Sequence, residues 1–277
     1  MTLSVRNNLF KIAIFLILFC IIMAIISTAR VFPVYSELAG EEIRRPGGLF
    51  QFFTSRLFGS SFYAVHVSLI LAVLYSCISI ILIYYYFSKT QAPEILYVAF
   101  FSFSISLDAA RFIIPLNFIY EIPPFYQLIA AKILLFGRYF GIFSLFTAGI
   151  YASGLNLQKN RALIVSILIA TLIIALGASI DIQNWDTGFY TISGYDSLFR
   201  FIEITVFLLT VISFFIAAYT SEIKEYFNTG IGAFLALTGR NILLLSDSWA
   251  GPIPGIVLLS LGTWMICTSL HKIYLWR

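Results

Sequence analysis

His66, Asp108, Arg111, Lys132, Arg138, Glu203 and Arg240 are ionisable, and each falls inside an otherwise apolar stretch of the chain. Placing such a group in hydrocarbon costs about 2.5–3.5 kcal/mol on insertion scales, so each needs a partner, water or a task. Their chemistry is ion recognition. The planar fork of arginine matches carboxylate or phosphate through paired hydrogen bonds. Arg111, Lys132, Arg138 and Arg240 set against Asp108 and Glu203 leave a surplus of positive charge. A buried surplus of that kind calls for water or for an anion. The seven residues are therefore the candidate ligand-binding set, for a small anionic ligand or a lipid headgroup.

Spacing refines the set. Ser104, Asp108 and Arg111 stand at i, i+4 and i+7, which is one face of an α-helix, and Asp108 can pair with Arg111 along it. Arg200 and Glu203 form a second i, i+3 pair at the start of another span. Gly137 and Gly141 make a G-x-x-x-G step that Ser144 and Ala148 extend, a stripe that lets a neighbouring helix come close. Lys132 points away from that stripe and Arg138 takes a third direction. A helix with so little surface to offer lipid is expected in the middle of the bundle.

The elements that must position these groups are membrane spans. Of the 277 residues, 60% are hydrophobic and 11% charged, against about 25% charged in soluble domains. A span needs about 20 mostly apolar residues. The stretches 9–29, 62–87, 95–114, 126–151, 162–180, 199–219, 230–246 and 252–270 qualify, separated by Pro-, Gly- and Asp-rich turns. The expected fold is all-α, a polytopic transmembrane helix bundle of about eight spans. Residues 1–29 read as an N-terminal signal-anchor span, 30–61 as an extracytoplasmic loop, and 62–277 as a seven-span bundle. The alternative for 1–29 is a cleaved signal peptide, since Ser27-Thr28-Ala29 resembles a cleavage site. The 230–246 stretch holds Gly230, Gly232, Gly239 and Arg240, so a re-entrant segment is its alternative.

Basic residues favour cytoplasmic loops. Arg6, Lys11, Lys89, Lys159, Arg161, Lys224, Lys272 and Arg277 outnumber the basics on the other side and put both termini in the cytoplasm. The candidate set, apart from midplane Arg138, then lies in the outer half. After Pro46-Gly47-Gly48, the residues Leu49, Phe50, Phe53, Leu57 and Phe58 recur at helical spacing, as in a short helix lying at the interface. The 181–196 loop reads as a solvated turn whose Trp185, Phe189, Tyr190 and Tyr195 rest at the interface.

Motifs exclude several chemistries. There is no G-x-x-x-x-G-K-[ST] phosphate loop, no H-E-x-x-H pair and no G-x-S-x-G elbow. His66 and His271 are the only histidines and fall at opposite membrane edges, so neither a metal nor a haem cofactor is expected. Net charge is +4 without a basic run, which excludes nucleic acid as partner. Cys20, Cys77 and Cys267 lie within apolar segments and form no disulfide framework.

The reading is a non-enzymatic, receptor-like or accessory protein of the cell membrane, with a bacterial cytoplasmic membrane as its setting. Its partners are the lipid bilayer and the anionic ligand or headgroup. An anchor followed by seven spans resembles the layout of bacterial seven-helix sensors, in architecture alone. No output domain is expected after the last span, so signalling would need a cytoplasmic protein partner at the inner loops or the 272–277 tail. The alternatives are a transporter for an anionic or proton-coupled solute, a lipid-modifying enzyme and a structural membrane subunit.

Overall fold

The computed structural model describes residues 3–39, 57–90, 92–154, 160–186, 188–245 and 247–275. They form helices α1 (Leu3–Ala39), α2 (Phe62–Phe87), α3 (Pro93–Ser106), α4 (Ile113–Tyr120), α5 (Pro124–Ala152), α6 (Asn160–Gly177), α7 (Asp196–Ser221), α8 (Lys224–Leu245) and α9 (Pro252–Leu275). A hairpin of β1 (Ile180–Trp185) and β2 (Thr191–Ser193) interrupts the helices. Most of the expected interfacial helix after Pro46 lies outside the described residues. Leu57 and Phe58 are described, and both are exposed.

Among the described residues, six helical stretches are long and apolar enough to cross a membrane: Leu3–Val34, Phe62–Phe87, Pro93–Asn117, Pro124–Ala152, Ser197–Ser221 and Pro252–Tyr274. The molecule is thus an apolar helical bundle of membrane-protein type. Two expected spans fall short of that standard. Ala162–Gly177 is a shorter apolar helix. α8 is long enough, at about 33 Å for its 22 residues, but more polar. It is a single uninterrupted helix.

The helices pack as a ring in the order α2, α3, α5, α7, α8, α9 and back to α2, with α1 outside α2 and α3, and α6 outside α5. Burial corrects the expected centre of the bundle. The Pro93–Asn117 window is 72% buried, the α5 window 56% and the α1 window only 17%. The most enclosed rod is therefore α3 with its continuation. α5 comes second because Lys132 turns outward to α6. Phe15, Phe19, Ile22 and Ile25 of α1 are exposed, as lipid-facing residues should be.

The small-residue stripe of α5 packs inside the molecule. A Cβ at Gly137 would come within 2.9 Å of the Leu107 Cβ, and Gly141 abuts the Ser104 side chain. A tighter contact joins α8 to α9. A Cβ at Gly239 would lie 2.8 Å from the Gly255 carbonyl oxygen, one at Gly232 2.9 Å from that of Gly262, and one at Gly255 2.6 Å from the Leu243 nitrogen. Glycine is required there because the two backbones touch.

Between α3 and α4 the chain winds as a 3₁₀ helix, Leu107–Phe112. Pro115 explains the change. It lacks the N–H that would bond the Arg111 carbonyl, and its ring crowds that carbonyl, so the turn before it cannot keep regular α geometry. This alters the expected face. In a 3₁₀ turn residues i and i+3 eclipse, which puts Arg111 directly over Asp108, whereas Ser104 packs against Gly141.

The two ends of the bundle are distinct. At one, Arg6 donates to the carbonyls of Phe87, Ser88 and Thr90, Tyr274 donates to Glu94, and Tyr151 stacks on Tyr97. At the other, Ser61 donates to the Asp247 carbonyl and the hairpin roofs the ring. The candidate site lies at the hairpin end.

Candidate functional site

A cavity of about 1020 Å³ opens at this end between α5, α7 and α8. Among its lining residues are Asp108 from the 3₁₀ turn, Arg138 and Tyr139 from α5, Asp186 and Tyr190 from the hairpin, Arg200 and Glu203 from α7, and Arg240 and Asn241 from α8. The cavity exists because α5 and α8 both pack on α7 but scarcely on each other. The 3₁₀ turn and the hairpin close the wedge left between them.

Two ion pairs fix its walls. Arg138 donates to the Glu203 carboxylate at 2.5 Å and ties α5 to α7. Arg111 donates to the Asp108 carboxylate at 3.2 Å. Arg111 is fully buried just behind the lining, where it also donates to the carbonyls of Leu244 at 2.9 Å and Gly188 at 3.4 Å. Its guanidinium carbon stands 3.4 Å from the centre of the Tyr190 ring. Desolvated cation–π contacts of this kind contribute about 2 kcal/mol. Tyr190 in turn donates to the Leu244 carbonyl, and Tyr139 donates to that of Phe199. One arginine thereby holds the 3₁₀ turn, the hairpin tip and the end of α8 together.

Arg240 differs from these. It lines the cavity, is 2% exposed, and belongs to neither of those ion pairs. Its Nε is buried without a hydrogen-bond partner. Asp108, Glu203 and Arg138 are its charged neighbours. Asp108 Oδ2 and Glu203 Oε1 are likewise buried and unpartnered. The site therefore holds an unpartnered guanidinium nitrogen on its wall, with two unpartnered carboxylate oxygens, all three buried.

The candidate set divides. Asp108, Arg138, Glu203 and Arg240 meet at the cavity, and Arg111 braces it from behind. Lys132 does not reach it. Its Nζ donates to the carbonyls of Leu176, in the last turn of α6, and Ala178, just past it, where cations are favoured by the helix dipole. His66 is also elsewhere. It is fully buried, shares a 2.9 Å hydrogen bond with Thr28 Oγ1, and is surrounded by Phe32, Phe62 and Phe112. With Lys132 absent and Asp186 and Arg200 added, the lining cations Arg138, Arg200 and Arg240 balance Asp108, Asp186 and Glu203, and a surplus of one positive charge arises only when Arg111 behind the wall is counted.

The hairpin was not legible as part of the site. Residues 181–196 were expected as a solvated turn with Phe189 and Tyr190 at the interface. Instead Phe189, at φ 58°, is buried against Phe62, and Tyr190 stacks under Arg111. Aromatics beside a glycine were the available signal, but an interfacial belt and a plug have the same composition. No protein-family model matches the chain, and neither curated proteins nor solved structures match it.

Proposed function

We propose that this is a receptor-like or accessory membrane protein whose cavity binds a small ligand carrying one anionic group. The observation that supports it is Arg240, a buried guanidinium on the wall of a cavity that makes no direct ion pair with its neighbours Asp108 and Glu203 and whose Nε has no hydrogen-bond partner. An unneutralised cation in low dielectric is unfavourable, and an arriving anion would relieve it through two parallel hydrogen bonds. Ligand donors beside the anion would meet Asp108 Oδ2 and Glu203 Oε1. In this reading both termini are cytoplasmic, the cavity faces the outside of the cell membrane, and α6 and α8 complete an eight-span path.

A structural subunit accounts for the Asp108–Arg111 and Arg138–Glu203 pairs but gives Arg240 no role. Transport is the second reading, and one observation favours it. Buried hydroxyls continue through the bundle, with Tyr75 bonded to Thr263 at 2.5 Å and Ser76 donating to the Ser102 carbonyl.

Thermal unfolding of the purified full chain in detergent, with sn-glycerol 3-phosphate or inorganic phosphate added, tests the binding role. At a hundred times its Kd, a ligand stabilises by about 2.7 kcal/mol. The expected result is a raised Tm that Arg240→Gln abolishes. An unchanged Tm, or a shift that Arg240→Gln retains, overturns the reading. Phosphate-dependent flux in sealed vesicles would move the protein to the transporter class.

A further inference from the structure

We propose that the cavity is filled from the bilayer, by an anionic glycerophospholipid whose headgroup carries hydroxyl or ammonium donors. This rests on the binding role above and names its ligand class.

The first support is the place of the opening. Ile204 and Leu208 line the cavity, yet they are 60% and 52% exposed. On α7 they belong to the same outward stripe as Phe201, Ile212 and Ile216, the stripe that an amphipathic span turns to lipid. Leu245 of α8, 48% exposed, also lines the cavity. A molecule passing between these side chains comes out of hydrocarbon.

The second support is the gradient of polarity. Arg240, Asp108 and Glu203 are buried, whereas the exposed lining is apolar along Ile204, Leu208 and Leu245 and charged only at Asp186 and Arg200. An amphiphile matches that order, with its charged head inward and its chain along the apolar wall. The volume is also at the top of the range for small-ligand sites, about 300–1,000 Å³, and more than a phosphate ion fills.

The third support is the balance of groups. A phosphodiester carries one negative charge, which equals the single positive charge left over when Arg111, behind the wall, is counted with the charged lining residues. Its two unesterified oxygens fit the fork of Arg240. Asp108 Oδ2 and Glu203 Oε1 as carboxylate oxygens can only accept, so they call for donors next to the phosphate. Glycerol hydroxyls or a serine ammonium supply them. A choline headgroup does not.

The experiment uses the full chain reconstituted in vesicles of phosphatidylglycerol and phosphatidylcholine, extracted gently and weighed by native mass spectrometry. Retained phosphatidylglycerol should exceed its bulk share, and Arg240→Gln should lower that enrichment roughly ten-fold or more, the scale of a lost buried charge contact. Leu208→Trp should narrow the mouth and reduce the enrichment. Leu209→Trp, which is exposed on the same helix but outside the cavity, should not. A parallel arm adds sn-glycerol 3-phosphate to delipidated protein. If that ion stabilises the protein while phosphatidylglycerol is not enriched, the ligand comes from water and the lipid proposal falls, with the binding role intact. If neither binds, both fall. Enrichment that survives Arg240→Gln places the headgroup elsewhere and also overturns the proposal.

Discussion

Asp108 and Arg111 are the residues whose removal separates structure from function. Removing one member of a buried ion pair costs about 3–5 kcal/mol, because the other is left uncompensated. Asp108→Asn and Arg111→Gln should each lower the Tm in detergent, and the double variant should lower it by clearly less than the sum of the two. Additive losses would mean that the 3.2 Å contact carries no coupling. Lys132→Met should behave differently. It removes a cap on the α6 carbonyls worth about 1 kcal/mol, and it should leave the phosphate-induced Tm shift unchanged, since Lys132 lies away from the cavity. A lost shift would return Lys132 to the site. At this scale the sequence identified the costly side chains but not all their partners. Asp108 with Arg111 was legible from spacing. Arg138 with Glu203, and the capping of α6 by Lys132, depend on which helices are neighbours, and one chain's periodicity does not encode that.

Two features of the elements were hidden for different reasons. The 3₁₀ turn has its cause in Pro115, but a proline in a span only warns of irregularity and leaves its form open. The hairpin tip is polar enough to read as solvated, yet Arg111 behind it supplies the partner that draws Tyr190 inward. The glycines of α8 raised the idea of a re-entrant piece, whereas they serve contact with α9. That contact can be tested. Gly239→Ala forces apart two touching backbones and should destabilise by about 1–3 kcal/mol, the range for overpacking. Gly177→Ala, where an added methyl meets nothing within 4 Å, should be neutral or slightly stabilising. Equal Tm values for the two variants would show that the α8–α9 contact is looser than described.

Over the whole molecule, the apolar composition made the bundle legible, and alternating turns made its path legible. The ring order and the cavity were not, because they follow from which faces meet. The proposed orientation is open to a direct check. In a background with Cys20, Cys77 and Cys267 replaced by alanine, Tyr195→Cys should react with an impermeant maleimide on intact cells. Lys89→Cys, exposed at the opposite end, should react only after permeabilisation. The reverse pattern would turn the cavity towards the cytoplasm.

The winding of Leu107–Phe112 carries a geometric consequence for everything beyond it. Six residues at 3₁₀ rise extend about 12 Å, where α rise would extend about 9 Å, and they add about 120° of rotation relative to an unbroken α-helix. The rod that begins at Pro93 is thus lengthened by about 3 Å, and its last two turns are dialled round by a third of a revolution. That offset sets which side of Ile113–Tyr120 meets α1. A substitution that restored uniform winding would unscrew this contact and swing the Arg111 guanidinium off the Tyr190 ring in the same motion.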